Sequence, residues 1–568
     1  MKKANDFLEL PSGTCFNGEG KRFVGSVPIK GFVDRGDGIL ITDLKRSGLD
    51  FAPVRGGGFC RPKEGRSELF ADGFPYSISC YPKQDYLKIV DCGEFYDAPK
   101  HGSDHVGRLE KGFYYDDLHP ADWKDTLHPT LHGYWGFDWA CTYEKAEMFD
   151  PQNRFIRTAY PYGQYFFRVG QRFRFVNVPD EIEAGEYALD EETGRLFFKP
   201  APGDEKSEFS LSVREHCFVL HDQENIIIEN CDISMFTGDA IVLENCRGIT
   251  IRNCRISNIG CRAIVVKNSF GVHIENCEIT HIGDTPIEIV CGDRKTLTKA
   301  ECRIDGCRIH DFAYWSKVYS PGVLLNGCGL SVCDCEIFDG PHTAVLYAGN
   351  EITISGNAIY DVLKETDDAG AVYAGRNPTY RGNVVRDNLF FRTDGVGSYT
   401  SGVYNDDLLS GTHIEHNVFW HINNAVLCGG GTDFVIRDNV FYKCNPALRI
   451  DNRGSNMTDQ WRSTMLQFRN AFDEVFSSST TAALYLSRYP EIGRWKEWFE
   501  QSELPVVRSD GLLEHNFCVG DWIYVSDWCV LDHHFVEQDT VFCKEDELLK
   551  QLPERFLRIL KEQGELIE

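Results

Sequence analysis

Residues 366–411, TDDAGAVYAGRNPTYRGNVVRDNLFFRTDGVGSYTSGVYNDDLLSG, carry the pattern that decides the fold. Two short runs within them, GAVYAG and SGVYND, are typical of β-strands. Each run is followed by a segment in which an asparagine precedes apolar residues, VVRDNLFF or HIEHNVFW. The same layout recurs many times along the chain, but only here does it come with two aspartate pairs, Asp367–Asp368 and Asp406–Asp407.

A repeat with a base period near 22 residues surrounds this stretch. Segments such as IIIENCDI, ITISGNAI and THIEHNVF align so that one column holds first cysteine and then asparagine. The members of this column are Cys231, Cys254, Cys277, Cys307, Cys335, Asn357, Asn388, Asn417 and Asn439. Their spacing of 22 to 31 residues predicts one coil of a right-handed parallel β-helix per repeat, with loop insertions.

The column predicts a ladder inside the β-helix, at a turn. Asparagine side chains can bond backbone groups and one another there, and cysteines fill the same positions as small apolar groups. A zinc site is the alternative interpretation of the cysteines. It is disfavoured because the thiols would be strung along the axis at about 4.8 Å per coil, whereas zinc needs ligands gathered in a tetrahedron.

A second strand in each coil has Ile, Val or Leu at its third position. These residues are Ile241, Ile264, Ile287, Val323, Val345, Val372, Val403, Val426 and Leu448. Because side chains alternate across a strand, an inward third position places the fourth and sixth on the outer face. The outward fourth column includes Glu288, Tyr373, Tyr404 and Arg449, and the sixth ends in Gly375, Asp406, Gly429 and Asp451. Asp406 therefore stands between two glycines, on a groove floor with space for a ligand.

The fold class predicted from these patterns is all-β, a right-handed parallel β-helix of about ten coils, in three regions. Residues 1–215 form a β-rich region packed on the helix, and residues 216–455 form the helix and its groove. Residues 456–568 form a helical insertion, one more coil that contains Asn516, and a C-terminal cap. The aromatic stretch at 132–150, HGYWGFDWACTYEKAEMFD, either packs against the next region or forms a sugar-stacking wall.

Composition and charge narrow the function. A formal net charge of −27 disfavours a general binder of nucleic acid or anionic membranes. No run of 18 apolar residues predicts a membrane span. The N-terminus shows no signal peptide, so we expect a cytoplasmic protein whose 22 cysteines are reduced, buried thiols.

The aspartates are the strongest candidates for chemistry, because no phosphate-binding loop, serine-hydrolase motif or zinc motif is present. Hydrolysis of a glycosidic bond needs two carboxyl groups, and Asp406 is the best single candidate, with Asp407 in or near the following turn. Its partner is either Asp451, about 9.6 Å away by strand spacing, or Asp368, about 23 Å upstream along an extended strand. Each aspartate could also be a turn residue that bonds local amides.

Tyrosines and arginines accompany the acids. Tyr373 and Tyr404 form a two-rung ladder that serves either packing or sugar binding. Arg376, Arg449 and Arg453 neutralise the aspartates or lower a carboxyl pKa. The candidate substrate-binding residues are Asp367, Tyr373, Arg376, Tyr404, Asp451 and Arg453. We expect no metal and no cofactor.

Several stretches between about Gly38 and Gly520 resemble bacterial β-helix glycosidases of the pectin-lyase-like superfamily, and most closely glycoside hydrolase family 141. They are GYWGFDWACTYEK, ALDEETGRLFFKP, DDAGAVYAGR, YNDDLLSG, VLCGGGTDFVIRDNVF and RIDNRG, of which the last four are fairly specific together. The family includes α-L-fucosidase and xylanase activities. The resemblance implies one catalytic aspartate in each of two regions, namely Asp368, and Asp406 or Asp407.

The function expected from the sequence is hydrolysis of a neutral or weakly charged glycan, by a fucosidase-, xylosidase/xylanase- or galactosidase-like enzyme. One alternative is a polysaccharide lyase, which needs a basic residue and a group that neutralises a uronate. Another is a β-helix that binds carbohydrate without catalysis. In each case the partner is a carbohydrate and neither nucleic acid nor membrane, while the oligomeric state stays open.

Overall fold

Three parallel β-sheets, wound in rotation from short strands, form the main body of the chain. The structure is a computed structural model and describes residues 7–54, 56–98, 104–451, 453, 459–525 and 534–566. The predicted boundary at residue 455 lies outside the described residues, as do Asn452 and Gly454 of the RIDNRG motif. Among the described helices, none is both long and apolar enough to cross a membrane.

The right-handed parallel β-helix predicted from the repeat is confirmed. The sheet that bears the aspartates, here the groove sheet, has eleven strands: Phe218–His221, Ile241–Glu244, Ile264–Lys267, Ile287–Cys291, Val323–Cys328, Val345–Asn350, Ala369–Gly375, Thr400–Asp406, Val426–Gly429, Leu448–Asp451 and Ile523–Val525. The second sheet has twelve: Cys15–Asn17, Glu224–Glu229, Arg247–Arg252, His273–Glu275, Cys302–Asp305, Leu330–Cys333, Thr353–Ser355, Val384–Arg386, His413–Glu415, Phe434–Arg437, Asp510–Glu514 and His534–Gln538. The third sheet also has twelve: Arg22–Val24, Asp232–Phe236, Arg255–Ile259, Glu278–Ile282, Arg308–Phe312, Glu336–Phe338, Ala358–Tyr360, Leu389–Phe391, Val418–Trp420, Val440–Tyr442, Phe517–Val519 and Val541–Phe542.

The flanking regions contribute strands at both ends of this body. Cys15–Asn17 pairs in parallel with the second-sheet strand that contains Ile227, and Arg22–Val24 pairs with Asp232–Phe236 of the third sheet. The described sheets therefore hold more strands than the roughly ten coils expected. The division of the chain into 1–215, 216–455 and 456–568 stays a prediction.

A left-handed residue turns the chain from the second sheet to the third in successive coils. Examples are Asn253 (φ +52°), Asp387 (φ +56°) and Asp438 (φ +56°). Asparagine and aspartate adopt this conformation more readily than most residues because their short polar side chains bond locally. The next residue in each coil is the cysteine or asparagine of the predicted column, which explains why that position repeats so strictly.

The predicted asparagine ladder is confirmed in atomic detail. The Oδ1 atom of Asn417 accepts hydrogen bonds from the backbone N–H of Asn388 at 3.0 Å and from its Nδ2 at 2.9 Å. Asn357, Asn439 and Asn516 continue this pattern with distances of 2.9–3.1 Å. The five column cysteines are at most 3 % exposed. The inward column from Ile241 to Leu448 is likewise confirmed as core.

Residues between the first coil and the groove sheet form antiparallel sheets that lie beside the β-helix, here the insertion (26–212). Its seven-stranded sheet contains Cys80–Tyr81, Leu87–Cys92, Phe113–Tyr115, Thr130–Phe137, Ala140–Asp150, Phe155–Thr158 and Arg172–Val176. A five-stranded sheet contains Val33–Asp34, Leu40–Asp43, Ser77–Ile78, Glu186–Asp190 and Arg195–Lys199. The remaining strands are Ser26–Pro28, Leu69–Ala71, Phe74–Pro75, Phe209–Ser212, Phe95–Ala98 and Asp104–Gly107.

Five α-helices follow in the C-terminal part: α1 (Asp459–Phe476), α2 (Ser479–Arg488), α3 (Gly493–Gln501), α4 (Glu545–Leu548) and α5 (Glu554–Glu562). α1 to α3 build a small core around Trp495 that includes Leu408 of the groove. α5 packs Phe556 and Leu560 on the aromatic outer face of the third sheet, next to Trp420. α5 thus buries an aromatic stack on the third sheet, and the predicted C-terminal cap stays a prediction.

Candidate active site

The groove sheet places the predicted acids on neighbouring coils. Asp406 ends the strand Thr400–Asp406, and its register partner on the preceding coil is Gly375. Gly429 lies on the coil that follows Asp406, and it pairs with Asp451 on the next coil. The register of these glycine–aspartate pairs is as strand pleating predicted. The open space expected beside Asp406 is not found, because Asp406 is only 6 % exposed, Asp451 is fully buried, and Arg453 lies against Gly429 and contacts Asp406.

Asp368 lies much closer to Asp406 than a straight strand allows, so the 23 Å estimate is wrong. The pairing of the two strands omits Ala371, and a Cβ atom added to Gly370 would lie 2.5 Å from the Cβ of Tyr404. Here the backbone of Gly370 approaches Tyr404 so closely that only glycine leaves enough space. Asp368 precedes the strand in a left-handed conformation (φ +48°), and the hydroxyl of Tyr404 donates to Asp368 Oδ1 at 2.8 Å.

Arg453 is the centre of the cluster and binds four of its members. Its Nη1 contacts Asp406 Oδ1 and lies 2.9 Å from Asp407 Oδ1. Its Nε donates to Asp451 Oδ2 at 2.9 Å, and its Nη2 donates to the Tyr404 hydroxyl at 2.9 Å. The side chain is nearly buried, at 9 % exposure. A buried guanidinium of this kind fixes several carboxylates in one geometry through charge-assisted hydrogen bonds.

The two ladder tyrosines orient the acids. The Tyr373 hydroxyl donates to Asp406 Oδ2 at 2.7 Å, as the Tyr404 hydroxyl does to Asp368. Their rings pack edge to face with centroids 5.5 Å apart. Tyr404 is 2 % exposed, which leaves no free face for a sugar. The two tyrosines thus pack against each other and also donate hydrogen bonds to the acids.

Asp368 and Asp407 have raised pKa values for related reasons. Burial and the negative charge of Asp406 raise the pKa of Asp368 to about 6, against the opposing effects of Arg453 and Tyr404. Burial and Asp406 likewise raise the pKa of Asp407, while Arg453 and Arg376 oppose the shift. Asp368 is nevertheless exposed to solvent. A carboxyl that is accessible and about half protonated near pH 6 is suited to donate a proton in weakly acidic solution.

Asp367 and Asp451 have supporting geometry. Asp367 Oδ1 accepts a hydrogen bond from the backbone N–H of Tyr399 at 2.7 Å, and Gly397 packs closely against this carboxyl. Asp451 has no exposed surface and binds both the backbone N–H and the side chain of Arg453. The arrangement favours roles in holding the loop and Arg453, and direct contact with a ligand would require Asp451 to become accessible.

The other two arginines differ in position. Arg376 Nε lies 3.0 Å from Asp407 Oδ2, and the side chain is 62 % exposed at the mouth of the groove. Arg449 lies over the ring of Tyr399, with 4.0 Å between the guanidinium carbon and the ring centroid. Arg376 is thus the more accessible cation beside the acids.

The insertion positions the loop that carries Asp368. Thr366 donates to the carbonyl of Asp138 at 3.0 Å, and Arg172 donates to the carbonyl of Glu365 at 2.6 Å. The insertion also contacts the β-helix through Tyr143, which stacks on Trp315 with ring centroids 4.1 Å apart. The packing interpretation of the 132–150 stretch therefore holds for Tyr143.

Sequence reasoning missed several aromatic residues beside the acids. Tyr319 lies 6.3 Å from the Tyr373 ring and 6.3 Å from the Trp139 ring. His342 lies 5.3 Å from the Tyr319 ring, and burial lowers its pKa to about 3. Tyr319 and His342 occupy loops between strands, where no periodic signal exists. Only Trp139 belonged to a stretch that had been singled out.

Metal binding finds no further support in the part of the chain that the structure describes. Within it, no group of three or more His, Cys, Asp or Glu side chains is arranged to hold a metal ion. The acids instead face Arg453 and Arg376.

Comparison with known proteins agrees with the fold. A family model for the right-handed beta helix region matches residues 206–309 and 298–461. No curated protein matches the sequence. A solved "Glycoside hydrolase" is similar at 12% identity and a TM-score of 0.51, over 74% of this chain and 82% of that chain.

Two other solved structures share the fold at lower similarity. XylC in complex with xylose is 11% identical with a TM-score of 0.39, over 93% of this chain and 76% of its own. The mannuronan C-5 epimerase AlgE6 A-module of Azotobacter vinelandii is 15% identical with a TM-score of 0.31, over 43% of this chain and 67% of its own. The family-model match and the likeness at a TM-score of 0.51 agree with the parallel β-helix fold.

Proposed function

We propose that the chain is a glycoside hydrolase that cleaves a neutral or weakly charged glycan with Asp368 and Asp406. The observation that carries this proposal is the bridge between the two acids. Tyr404 binds Asp368, and Arg453 binds both Tyr404 and Asp406. Glycoside hydrolysis needs one carboxyl group that donates a proton and a second that acts as nucleophile or base. Two carboxyl groups held close together in different environments meet this requirement.

Asp368 acts as the general acid. Its pKa of about 6 keeps much of it protonated in weakly acidic solution, and among the described residues hydrogen bonding occupies only its Oδ1. The proton passes to the glycosidic oxygen while the bond from that oxygen to the anomeric carbon breaks. The leaving sugar departs as an alcohol, and Asp368 is left as a carboxylate.

Asp406 supplies the second function. Arg453 and Tyr373 donate to its two oxygens, which fixes the carboxylate and spreads its charge. It either attacks the anomeric carbon itself or takes the proton of a water molecule that attacks. Asp407 supports it by pairing with Arg453 and Arg376, with N–O distances of 2.9 and 3.0 Å, which keeps in place the Arg453 guanidinium that orients Asp406.

The family 141 resemblance supports the same pair, because it implies one aspartate in each of the two loops that the structure brings together. A glycoside hydrolase is also among the proteins that share the fold. Fucosidase-, xylosidase/xylanase- and galactosidase-like activities are therefore the first to test. A lyase is less well supported, because Arg453 and Arg376 are both bound by aspartates.

The test is release of p-nitrophenol from a panel of aryl fucosides, xylosides and galactosides. We expect Asp368→Asn and Asp406→Asn each to lower kcat/KM by about a hundredfold or more. Asp387→Asn is the matched control, because this aspartate occupies a left-handed turn position where other coils carry asparagine. Retained turnover in both site variants would overturn the assignment of the acids.

Two further outcomes separate the alternative functions. Release of an unsaturated uronide from a polyuronate, with loss of activity in EDTA, would identify a lyase. Glycan binding that survives both aspartate substitutions, without turnover of any aryl or natural glycan, would identify a binding protein.

A further inference from the structure

A second groove, lined by tyrosines, lies on the insertion beside the candidate active site. It is an open cavity of about 480 Å³, bordered by Tyr96, Tyr160, Tyr162 and Tyr165 together with Arg108. This volume is within the range of about 300–1,000 Å³ that is typical of small-molecule sites. None of its tyrosines belongs to the catalytic cluster.

One ring of this tyrosine groove is fully displayed to solvent and the other three are half-buried. Tyr160 is 83 % exposed and stands edge-on to Tyr162, with centroids 5.7 Å apart. The Arg108 guanidinium lies over Tyr96 at 4.7 Å and holds that ring in place. Exposed aromatic rings that line a concavity mark a binding site more often than rings scattered singly over a surface.

The tyrosine groove is continuous with the acids through a chain of aromatic contacts. The Tyr165 ring is 5.1 Å from Trp139, and Trp139 leads through Tyr319 to Tyr373, which binds Asp406. Tyr165 is also close enough to Arg376 for that cation to influence its pKa. These contacts connect the tyrosine groove to Tyr373 through packed aromatic rings, so the groove lies within reach of a ligand that extends from the acids along the insertion.

We propose that the tyrosine groove binds additional sugar units of an oligosaccharide whose scissile bond lies over Asp368 and Asp406. The inference rests on the proposed hydrolase function and adds that the substrate is an extended glycan. Sugar rings present an apolar face and a rim of hydroxyl groups, which tyrosine matches with its ring and its phenol.

Charge argues for a neutral ligand in this groove. Its only arginine, Arg108, already forms ion pairs with Glu94 at 2.9 Å and Glu110 at 3.9 Å. An anionic ligand would have to displace these carboxylates, and the chain's net charge of −27 disfavours it further. The openness of the cavity towards solvent suits a chain that continues beyond the site.

The experiment combines binding and turnover for a Tyr160→Ala/Tyr162→Ala variant. Xylo-, galacto- and fuco-oligosaccharides of one to six units are titrated by calorimetry into the wild type and the variant. In parallel, kcat and KM are measured with an aryl monoglycoside and with the longest oligosaccharide bound. Tyr114→Ala is the control, because Tyr114 is an exposed tyrosine of the insertion outside the groove.

We expect wild-type affinity to rise about tenfold or more from one to four units, and this rise to disappear in the variant. KM for the oligosaccharide should rise about tenfold, while turnover of the aryl monoglycoside and behaviour of the control stay unchanged. A length dependence that persists in the variant, or is missing in the wild type, would overturn the proposal. So would a parallel loss of monoglycoside turnover.

The outcomes also separate this inference from the hydrolase proposal. Length-dependent binding that needs the tyrosines, without turnover of any glycan, would keep the groove and remove the catalytic function. Turnover that needs Asp368 and Asp406, without length dependence, would keep the hydrolase and remove the groove.

Discussion

The same coils carry two buried polar systems that differ in almost every respect. Inside, the asparagine ladder pairs neutral groups, and Asn388 meets an identical residue on the next coil. Outside, three aspartates and Tyr404 surround Arg453 in a charged cluster whose members have different surroundings. The ladder repeats because the coil repeats, whereas the cluster depends on Arg453, which binds three aspartates and Tyr404. The ladder contributes to stability alone, whereas the cluster contributes to stability and also holds the candidate catalytic acids.

The largest effect should come from removing the centre of the charged cluster. Arg453→Met leaves Asp406, Asp407 and Asp451 buried without their shared cation, and an unpaired buried charge costs about 3–5 kcal/mol. We expect a loss of this size in the free energy of unfolding and a loss of glycosidase activity below detection. Urea unfolding and aryl glycoside assays measure the two effects.

Arg437→Met serves as the matched control for Arg453→Met. Arg437 also pairs with a carboxylate, Glu415 at 3.1 Å, but its side chain is 42 % exposed on the second sheet. Its removal should cost about 0–1 kcal/mol and leave activity intact. Equal losses in the two variants would show that the burial of Arg453 does not set its importance.

The next largest effect should come from the ladder, and on stability alone. Asn417→Ala removes the acceptor of two buried donors of Asn388, which should lower the free energy of unfolding by about 2–4 kcal/mol. Asn417→Cys should cost less, because thiols accept the same backbone bond in other coils, as Cys335 does from Cys307 at 3.4 Å. Urea midpoints rank the variants.

In both ladder variants kcat for the folded fraction should stay near the wild-type value. A drop in kcat with unchanged stability would contradict the separation between the two polar systems. An alanine variant as stable as the cysteine variant would contradict the hydrogen-bond explanation of the ladder.

The comparison also explains what sequence alone can predict. The asparagine ladder and the inward column can be predicted because the same residue types recur at a regular spacing. The register of Asp406 can be predicted from strand pleating. Asp368 was placed too far away because extended geometry reveals neither the left-handed backbone of Asp368 nor the reach of the Tyr404 side chain that binds it. Tyr319 and His342 lie in loops of variable length, so their position depends on packing against the insertion, which no repeat encodes.

The pH dependence of kcat/KM tests whether Asp368 donates the proton. Asp368, with a pKa of about 6, should lose its proton as the pH rises through that value, so kcat/KM should fall on the alkaline side. Tyr404→Phe removes a hydrogen bond that lowers this pKa. The alkaline limb should therefore move to higher pH, at reduced overall activity. A limb that stays in place would indicate that another group is titrating.

The smallest effect should be a gain in stability from Asp368→Asn, which abolishes activity. The folded pKa of Asp368, about 6, exceeds the ordinary value of about 3.9 in an unfolded chain. Ionisation therefore destabilises the folded state, beginning above the unfolded pKa and reaching its full extent above about pH 6. Because the side chain is partly open to solvent, we expect only about 1 kcal/mol.

The gain should be present at pH 7.5 and absent below about pH 4, where the carboxyl is protonated in both states. Thermal midpoints at the two pH values measure this gain. Asp387→Asn, at a turn, should change the midpoint at neither pH. A variant less stable than the wild type at pH 7.5 would mean that Asp368 helps to hold the fold. A gain would mean that the raised pKa of Asp368 is maintained at the expense of stability, as in sites where function and stability conflict. The ladder asparagines inside the β-helix show no such conflict.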